Sequence, residues 1–275
     1  DAQERRTTLT QRRLVSMAQP HLAALETTWL AENWSGRMEI RSALDGRVVN
    51  SGVPRYGNLN GKQLVPLEAA GAGNDAIYLK VQTSQSELRV AQAARTRLFG
   101  SEQPATPPVR IVEEAGYIAQ HVEIEVAEGH PVRAEKVVAL FASRDRAISE
   151  CGLAARESIE DAPGFQAVLD THALAWHRLW DRFDMELEFS TPPSVQNHTC
   201  LILHLHIFHL LQTTSPHTID LNIGVPARGW HGEAYRGHIF WDELFIFPLL
   251  NLRIPDIPRA LLKYRHRRLE AARRA

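Results

Sequence analysis

The chain has 275 residues, 44% of them hydrophobic, and its 31 basic residues nearly balance its 32 acidic residues. This composition excludes an intrinsically disordered protein, and the charge balance leaves no overall field that would attract nucleic acid or an anionic membrane. The two cysteines, Cys151 and Cys200, predict no disulfide framework, and the sequence shows neither the apolar core of a signal peptide nor a membrane-spanning apolar run. We therefore expect a cytoplasmic globular protein with no membrane or nucleic-acid partner.

Residues 1–142 follow the two-residue alternation of β-strands. Met38, Ile40 and Ser42 face one way, and the turn pair Asp45-Gly46 follows them, which predicts a hairpin at this point. Further strand candidates are separated by clusters of Gly, Pro and Asn; they are residues 14–17, 25–29, 77–82, 88–93, 109–112, 118–126 and 136–142. Many short strands at this spacing predict a β-sandwich.

From residue 143 onward the apolar period is helical. Apolar side chains recur at three- and four-residue steps from Phe165 to Phe183, which predicts one long amphipathic helix. Residues 195–211 are apolar almost all round, and this pattern predicts a helix buried inside a multi-helix body. Two further helices are predicted, at residues 240–252 and 255–274. Because such helices cannot bury themselves alone, we expect more helices to follow them.

Residues 229–245 combine aromatic rings, charged groups and glycines. The aromatic surfaces are Trp230, Tyr235, Phe240 and Trp241. The polar groups are Glu233, Arg236, His238 and Asp242. A sugar presents hydroxyls at its edge and C–H groups on its faces, so this mixture is typical of a sugar site. The alternative is a buried aromatic helix start whose polar groups are all satisfied.

Three histidines on the helix predicted at residues 195–211 raise the question of a metal site. His204, His206 and His209 are two, three and five residues apart, and these steps do not reproduce the four-residue spacing of a zinc-binding pair on one helix face. We therefore predict no metal ligand here and no cofactor.

Two parts of the chain carry motifs of a known protein family. The first is residues 223–274, where residues 224–229 lead into the run 232–238 and into Phe240-Trp241-Asp242-Glu243. The second lies near the start of the chain, at residues 15–17, 32–36 and 42–50. Both parts resemble the disaccharide phosphorylases of glycoside hydrolase family 65, which include kojibiose, trehalose and maltose phosphorylases, and the resemblance covers essentially the whole chain.

The resemblance implies a fold and a division into domains. It implies a β-sandwich at residues 1–142, a helical linker at residues 143–192, and the first helices of an (α/α)6 catalytic barrel at residues 193–275. On this interpretation the chain is an internal fragment, and the general acid of the family and its phosphate-binding residues lie beyond Ala275. We accordingly expect no catalytic residue in this chain, and we expect the chain alone to be inactive.

The resemblance also implies roles for residues of the segment 229–245. The triplet Phe240-Trp241-Asp242 is expected to bind the glucosyl ring, with Trp241 against the ring and Asp242 accepting hydrogen bonds from its hydroxyls. Arg236 and His238 are expected to complete the rim, and Glu233 and Tyr235 to support it. Glu243 stands where many family members have threonine, so the resemblance gives it no role.

The reaction that the resemblance implies is phosphorolysis of an α-linked glucose disaccharide with inversion, giving β-glucose 1-phosphate. Inorganic phosphate is the co-substrate, and a homodimer is one expected assembly. Three alternatives stay open: an α-glucoside hydrolase of the trehalase type, a non-catalytic carbohydrate-binding fragment, and a structural half completed by a partner chain.

Overall fold

The computed structural model describes residues 4–49, 58–73, 75–100, 103–185, 187, 193–219, 221–225 and 237–275. The chain forms two compact units, Asp1–Trp176 and His177–Ala275. None of the described helices is long and apolar enough to cross a lipid bilayer.

The described part of the first unit contains ten β-strands. They are β1 Thr7–Val15, β2 Leu22–Ala31, β3 Gly36–Asp45, β4 Leu64–Ala72, β5 Ala76–Thr83, β6 Arg89–Gly100, β7 Gln103–Ala105, β8 Val109–Glu114, β9 Tyr117–Val126 and β10 Pro131–Ala142. The larger sheet has the order β1-β2-β10-β6-β5-β4, with β7 paired to β6, and the smaller sheet has the order β3-β9-β8. All these pairs are antiparallel.

The central strands of the larger sheet are buried on both faces. On β5, Ile77 and Leu79 pack with Ile118 of the smaller sheet. The intervening Tyr78 faces the other way and packs in a cluster with Ile159 and Phe165 of the helices that follow the strands. A strand covered on both faces is apolar at nearly every position, and β5 shows this pattern. The first unit is therefore a β-sandwich with a helical layer on the outer face of its larger sheet.

The helical layer consists of α1, Cys151–Glu160, and the first part of α2, Phe165–Phe183. Two buried side chains of the sheet bond to the ends of these helices. Arg95 of β6 donates to the carbonyls of Ile159 at 2.9 Å and of Ala162 at the carboxyl end of α1, and burial lowers its pKa. Glu135 of β10 accepts from the Phe165 N–H at 3.1 Å, at the start of α2. Helix ends leave backbone groups without partners, and these two contacts satisfy several of them.

A lysine is partly buried between the two sheets. Lys136 of β10 donates from Nζ to the carbonyl of Ala43 of β3 at 2.6 Å. Burial lowers the pKa of Lys136 to about 8, because the charged ammonium loses its hydration.

The described part of the second unit is helical. It contains the end of α2, then α3 Pro193–Thr213, a short 3-10 helix Pro216–Thr218, α4 Glu243–Arg253 and α5 Asp256–Arg274. Its buried apolar side chains are Leu179, Phe183, Ile207, Leu211, Leu250, Ile254, Ile257 and Leu261. The predicted helices at residues 165–183, 240–252 and 255–274 are thereby confirmed, with α4 beginning three residues later than predicted.

The predicted hairpin at Asp45-Gly46 is wrong. Among the described residues β3 pairs with β9 alone, at the edge of the smaller sheet. Gly46 instead makes a close approach: its N–H donates to the carbonyl of Gly116 at 2.8 Å, and a Cβ there would lie 2.5 Å from Val81 Cγ1. The glycine serves tight packing between the sheets, and the local turn pattern could not distinguish this from a reversal of the chain.

The burial predicted for residues 195–211 is present only near the carboxyl end of that helix among the described residues. On α3, Val195 is 50% exposed, Leu201 65% and Leu205 49%, whereas Ile207 and Leu211 are buried. An all-round apolar pattern shows that a helix can be surrounded, but the described residues of this unit cover α3 mainly near its carboxyl end.

Candidate functional site

The candidate site lies at the start of α4, in residues 237–242, which we call the approach segment. The N–H of Gly224 donates to the carbonyl of Gly237 at 2.7 Å, so the loop at residues 221–225 lies against this segment. The carbonyls of Trp241 and Asp242 accept from the N–H groups of Leu244 and Phe245 at 3.0 and 3.2 Å, and these bonds form the first turn of the helix. The first helical turn therefore fixes the backbone of Trp241 and Asp242.

Trp241 presents an open indole face. Its side chain is 56% exposed, although its ring lies 5.9 Å from the Phe240 ring and 5.5 Å from the Phe245 ring between centroids. Neighbouring rings at these distances hold an aromatic side chain in place without covering it. An exposed, fixed indole is a suitable surface for the apolar face of a sugar.

Asp242 stands at the N-cap position of α4, but its carboxylate makes no capping hydrogen bond. An aspartate at this position commonly accepts from the N–H groups of the next turn. Its backbone has helical dihedral angles, whereas a capping residue is usually extended. Among the described residues the Asp242 side chain has no hydrogen bond or ion pair, so it is available to accept hydrogen bonds from a ligand.

Glu243, for which the resemblance implies no role, is fully buried and holds the approach segment in place. Its Oε1 accepts from the Val225 N–H at 3.1 Å, and its Oε2 lies 2.7 Å from Arg265 Nη2 of α5. The same Nη2 donates to the carbonyl of Phe240 at 3.1 Å. The contact between Arg265 and Oε2 is an ion pair, and Oε2 accepts no hydrogen bond from the described residues. Gly224 permits the packing, since a Cβ there would collide with the His238 carbonyl and lie 2.6 Å from Glu243 Oε1.

A charged residue directly before the apolar run at residues 244–250 was the sequence signal that could have indicated the role of Glu243. Its partner Arg265 lies on the next helix, 22 residues later, among several other basic residues. The sequence alone does not single out Arg265 among them.

The structure brings only some of the predicted site residues together. Phe240, Trp241 and Asp242 are contiguous, and His238 is an exposed residue of the same approach segment. Glu233, Tyr235 and Arg236 lie outside the described residues, so their predicted roles stay predictions. Glu243 is buried and paired with Arg265, and it is therefore not placed to protonate a ligand at Asp242.

The histidines of α3 pack as side chains of a helix surface. The ring of His204 lies 5.7 Å from the Trp180 ring between centroids, in an edge-to-face arrangement. Within the part of the chain that the structure describes, no three His, Cys, Asp or Glu side chains are close enough to hold a metal ion.

Comparison with known proteins identifies one family along the chain. The model of the glycosyl hydrolase family 65 N-terminal domain matches residues 1–179, and the model of the central catalytic domain of that family matches residues 204–275. The likeness extends to a solved structure from the human microbiome, provisionally named a kojibiose phosphorylase. It has a TM-score of 0.71 at 16% identity and covers 97% of this chain and 33% of that one.

Several relatives are longer than this chain. An uncharacterized glycosyl hydrolase of Mycobacterium tuberculosis is 42% identical over 100% of this chain and 20% of its own length. The kojibiose phosphorylase of Halothermothrix orenii is 30% identical over 98% of this chain and 34% of its own length. The alpha,alpha-trehalose phosphorylase of Thermoanaerobacter brockii is 29% identical over 95% of this chain and 33% of its own length. The chain thus spans a fifth to a third of the length of these relatives.

These matches confirm the predicted fold class, a β-sandwich followed by a helical linker and the first helices of an (α/α)6 barrel. They also confirm the resemblance from which the site was predicted. The chain belongs to glycosyl hydrolase family 65.

Proposed function

We propose that this chain forms part of an enzyme that phosphorolyses an α-linked glucose disaccharide with inversion, releasing β-glucose 1-phosphate. The observation that carries the proposal is the juxtaposition of the exposed Trp241 indole and the Asp242 carboxylate, which has no partner among the described residues, at the start of α4. The phosphorylase names of relatives that match nearly the whole chain support the same reaction class.

The two side chains have complementary tasks at a glucosyl ring. The indole of Trp241 lies against the C–H face of the ring, and the carboxylate of Asp242 accepts hydrogen bonds from the ring hydroxyls. As the glycosidic bond breaks, the ring flattens and gains oxocarbenium character, so contacts that tighten in that geometry stabilise the transition state more than the substrate. Arg236 and His238 complete the rim in this proposal, with Glu233 and Tyr235 behind it.

The reaction needs one proton donor and one nucleophile. The bond from C1 to the bridging oxygen breaks, a carboxylic acid gives its proton to that oxygen, and a phosphate oxygen bonds to C1 from the opposite face. Phosphate is already an anion, so no general base is required. Asp242 binds the ring in this scheme, while the acid and the phosphate site lie in other segments of the enzyme.

We also propose that the exposed apolar side chains of the second unit are covered by further helices of the barrel. Leu201 is 65% exposed on α3, and Phe245 and Leu252 are 74% and 82% exposed on α4. An apolar surface of this kind is uncommon on a monomer and indicates a contact face. The proposed division places the sandwich at residues 1–142, the linker at 143–192 and the barrel helices from 193.

Hydrolysis is the second candidate function, because the relative with 42% identity is named a glycosyl hydrolase. The two reactions are distinguished by their need for phosphate. The complete enzyme is incubated with trehalose, kojibiose, maltose or nigerose, with and without inorganic phosphate, and glucose and glucose 1-phosphate are quantified. Phosphorolysis predicts β-glucose 1-phosphate that disappears when phosphate is omitted. Release of glucose at the same rate in phosphate-free buffer would overturn the phosphorylase assignment and favour the hydrolase.

A further inference from the structure

The sandwich contains a cavity that the proposed reaction does not use. It has a volume of about 640 Å³ and lies between the two sheets, bounded by residues of β3, β6, β8 and β9 and by the segment at residues 104–107. Sites for small molecules commonly measure about 300–1,000 Å³ and are mostly apolar with a few polar groups. This cavity has that size and that character, since eight of its fourteen lining residues are apolar.

The cavity contains a buried acceptor without a partner. Gln120 of β9 is 2% exposed and lines the cavity, and its Oε1 accepts no hydrogen bond from any residue that the structure describes. Gln120 lies between Ser42 of β3 and Ile111 of β8 in the smaller sheet, at a position whose neighbours on the same face, Ile118 and Val122, are apolar. A buried acceptor left unbonded costs free energy, so a glutamine at such a position indicates a ligand that bonds to it.

Four other polar side chains of the lining have partners within the protein. The hydroxyls of Ser42 and Thr96 bond to each other across the two sheets at 2.8 Å. Arg97 and Asp75 form an ion pair at 3.1 Å, and the exposure of both side chains places them at the mouth. No net charge therefore faces the cavity from this set, and a charged ligand would lose its hydration without compensation.

We propose that this cavity binds a compact, uncharged, largely apolar molecule of one or two rings that carries a hydroxyl or N–H donor for Gln120 Oε1. Ile40, Leu98 and Val122 contact the body of the ligand. A free sugar does not meet this description, because it would bring many hydroxyls against apolar walls. The site is thus chemically distinct from the one at Trp241, and its ligand is a separate class of molecule.

The test compares two probes that differ in the donor. We use 2-naphthol, which has a hydroxyl, and 2-methoxynaphthalene, which has the same rings and no donor. Binding to the chain is followed by methyl NMR of Ile40 and Val122. The expected result is saturable binding of 2-naphthol with shifts at both residues, and an affinity about tenfold lower for 2-methoxynaphthalene, the worth of one hydrogen bond.

Gln120→Leu provides the first variant. It removes the unpartnered acceptor and keeps an apolar core, so its unfolding temperature should be unchanged or higher. We expect the variant to bind both probes with the same affinity, because the tenfold preference for the donor is lost. A preference retained in Gln120→Leu would overturn the proposed role of the amide.

A second variant blocks the cavity without touching Gln120. Val109 lines the cavity and is 41% exposed, so Val109→Trp can fill the space from its edge. Leu9→Trp on β1, at a side chain that is 58% exposed and outside the lining, is the matched control. The site is supported if Val109→Trp binds neither probe while Leu9→Trp binds both. Absence of saturable binding in the unmodified chain, or equal binding in Val109→Trp, would overturn it.

Discussion

The two units bury their apolar residues to different extents. In the sandwich, Ile77, Tyr78 and Ile118 have no exposed surface, and buried side chains of the sheet hold the ends of the helices. In the second unit, α3 and α4 leave leucines and a phenylalanine more than half exposed. Buried apolar area is the main source of stability in both kinds of structure. The sandwich therefore has the interior of a self-supporting domain, while the helices have surfaces suited to further partners.

The largest expected effect comes from a pair of phenylalanines. Phe165 is fully buried against the sheet, whereas Phe245 is 74% exposed on α4. Phe165→Ala should lower the free energy of unfolding of the sandwich by about 4 kcal/mol, since it leaves a cavity. Phe245→Ala in the same chain should change it by less than about 0.5 kcal/mol. Urea unfolding measures both, and similar losses in the two variants would remove the contrast between the units.

Removal of the contacts between Arg95 and the helix ends should have the next largest effect on stability. Arg95→Met leaves several buried carbonyls at the end of α1 without their charged donor, and we expect a loss of about 3 kcal/mol. Arg97, two residues along the same strand, is an exposed side chain paired with Asp75. Arg97→Met is the matched control and should cost less than about 1 kcal/mol. Equal losses in urea unfolding would show that the carbonyl contacts contribute nothing specific.

The partly buried Lys136 predicts a pH dependence of the stability. Its pKa is about 8 in the folded chain against 10.5 for the free side chain, so between these pH values the unfolded chain binds more protons. The stability then rises with pH across this window, by up to about 3 kcal/mol for a shift of about 2.5 units. Below pH 8 the cost of burying the charge is fully present.

Lys136→Met tests this dependence. The variant should lose the rise between pH 8 and 10.5, while Lys62→Met, at an exposed lysine, should retain it. Urea unfolding across the pH range provides the comparison. A rise of the same size in Lys136→Met would mean that another group causes it.

The smallest stability effect concerns the exposed face of α4. Leu252→Ser, at a side chain that is 82% exposed, should leave the free energy of unfolding within about 0.5 kcal/mol. The same change should lower the tendency of the chain to self-associate at high concentration, because it interrupts an apolar surface. Analytical ultracentrifugation measures the self-association. Strong destabilisation would instead show that the described helices already cover Leu252.

The sequence could predict what depends on local periodicity. The strands containing residues 77–82 and 118–126 and the helix Phe165–Phe183 follow from two- and three-to-four-residue patterns. It could not predict that β3 pairs with β9, because more than 70 residues separate the paired positions. It also could not show how much of α3 is covered, since coverage depends on neighbours that the pattern of a single helix does not contain.

The sequence could likewise predict only some residues of the candidate site. Trp241 and Asp242 were found from residue chemistry and a family triplet, and the structure shows that one is exposed and the other unpartnered among the described residues. Glu243 was missed because its role depends on Val225 and Arg265, which belong to other elements. Gln120 was missed because only the three-dimensional structure shows that its acceptor has no partner among the described residues.

The most direct test of the central claim is the activity of Asp242→Asn in the complete enzyme. Phosphate-dependent formation of β-glucose 1-phosphate is measured beside Asp256→Asn, a matched change in the first turn of α5. If Asp242 binds the glucosyl ring as it flattens, kcat/KM should fall by about a hundredfold or more, while the control stays near the unmodified enzyme. Near-normal phosphorolysis by Asp242→Asn would contradict the assignment of this carboxylate to the sugar site.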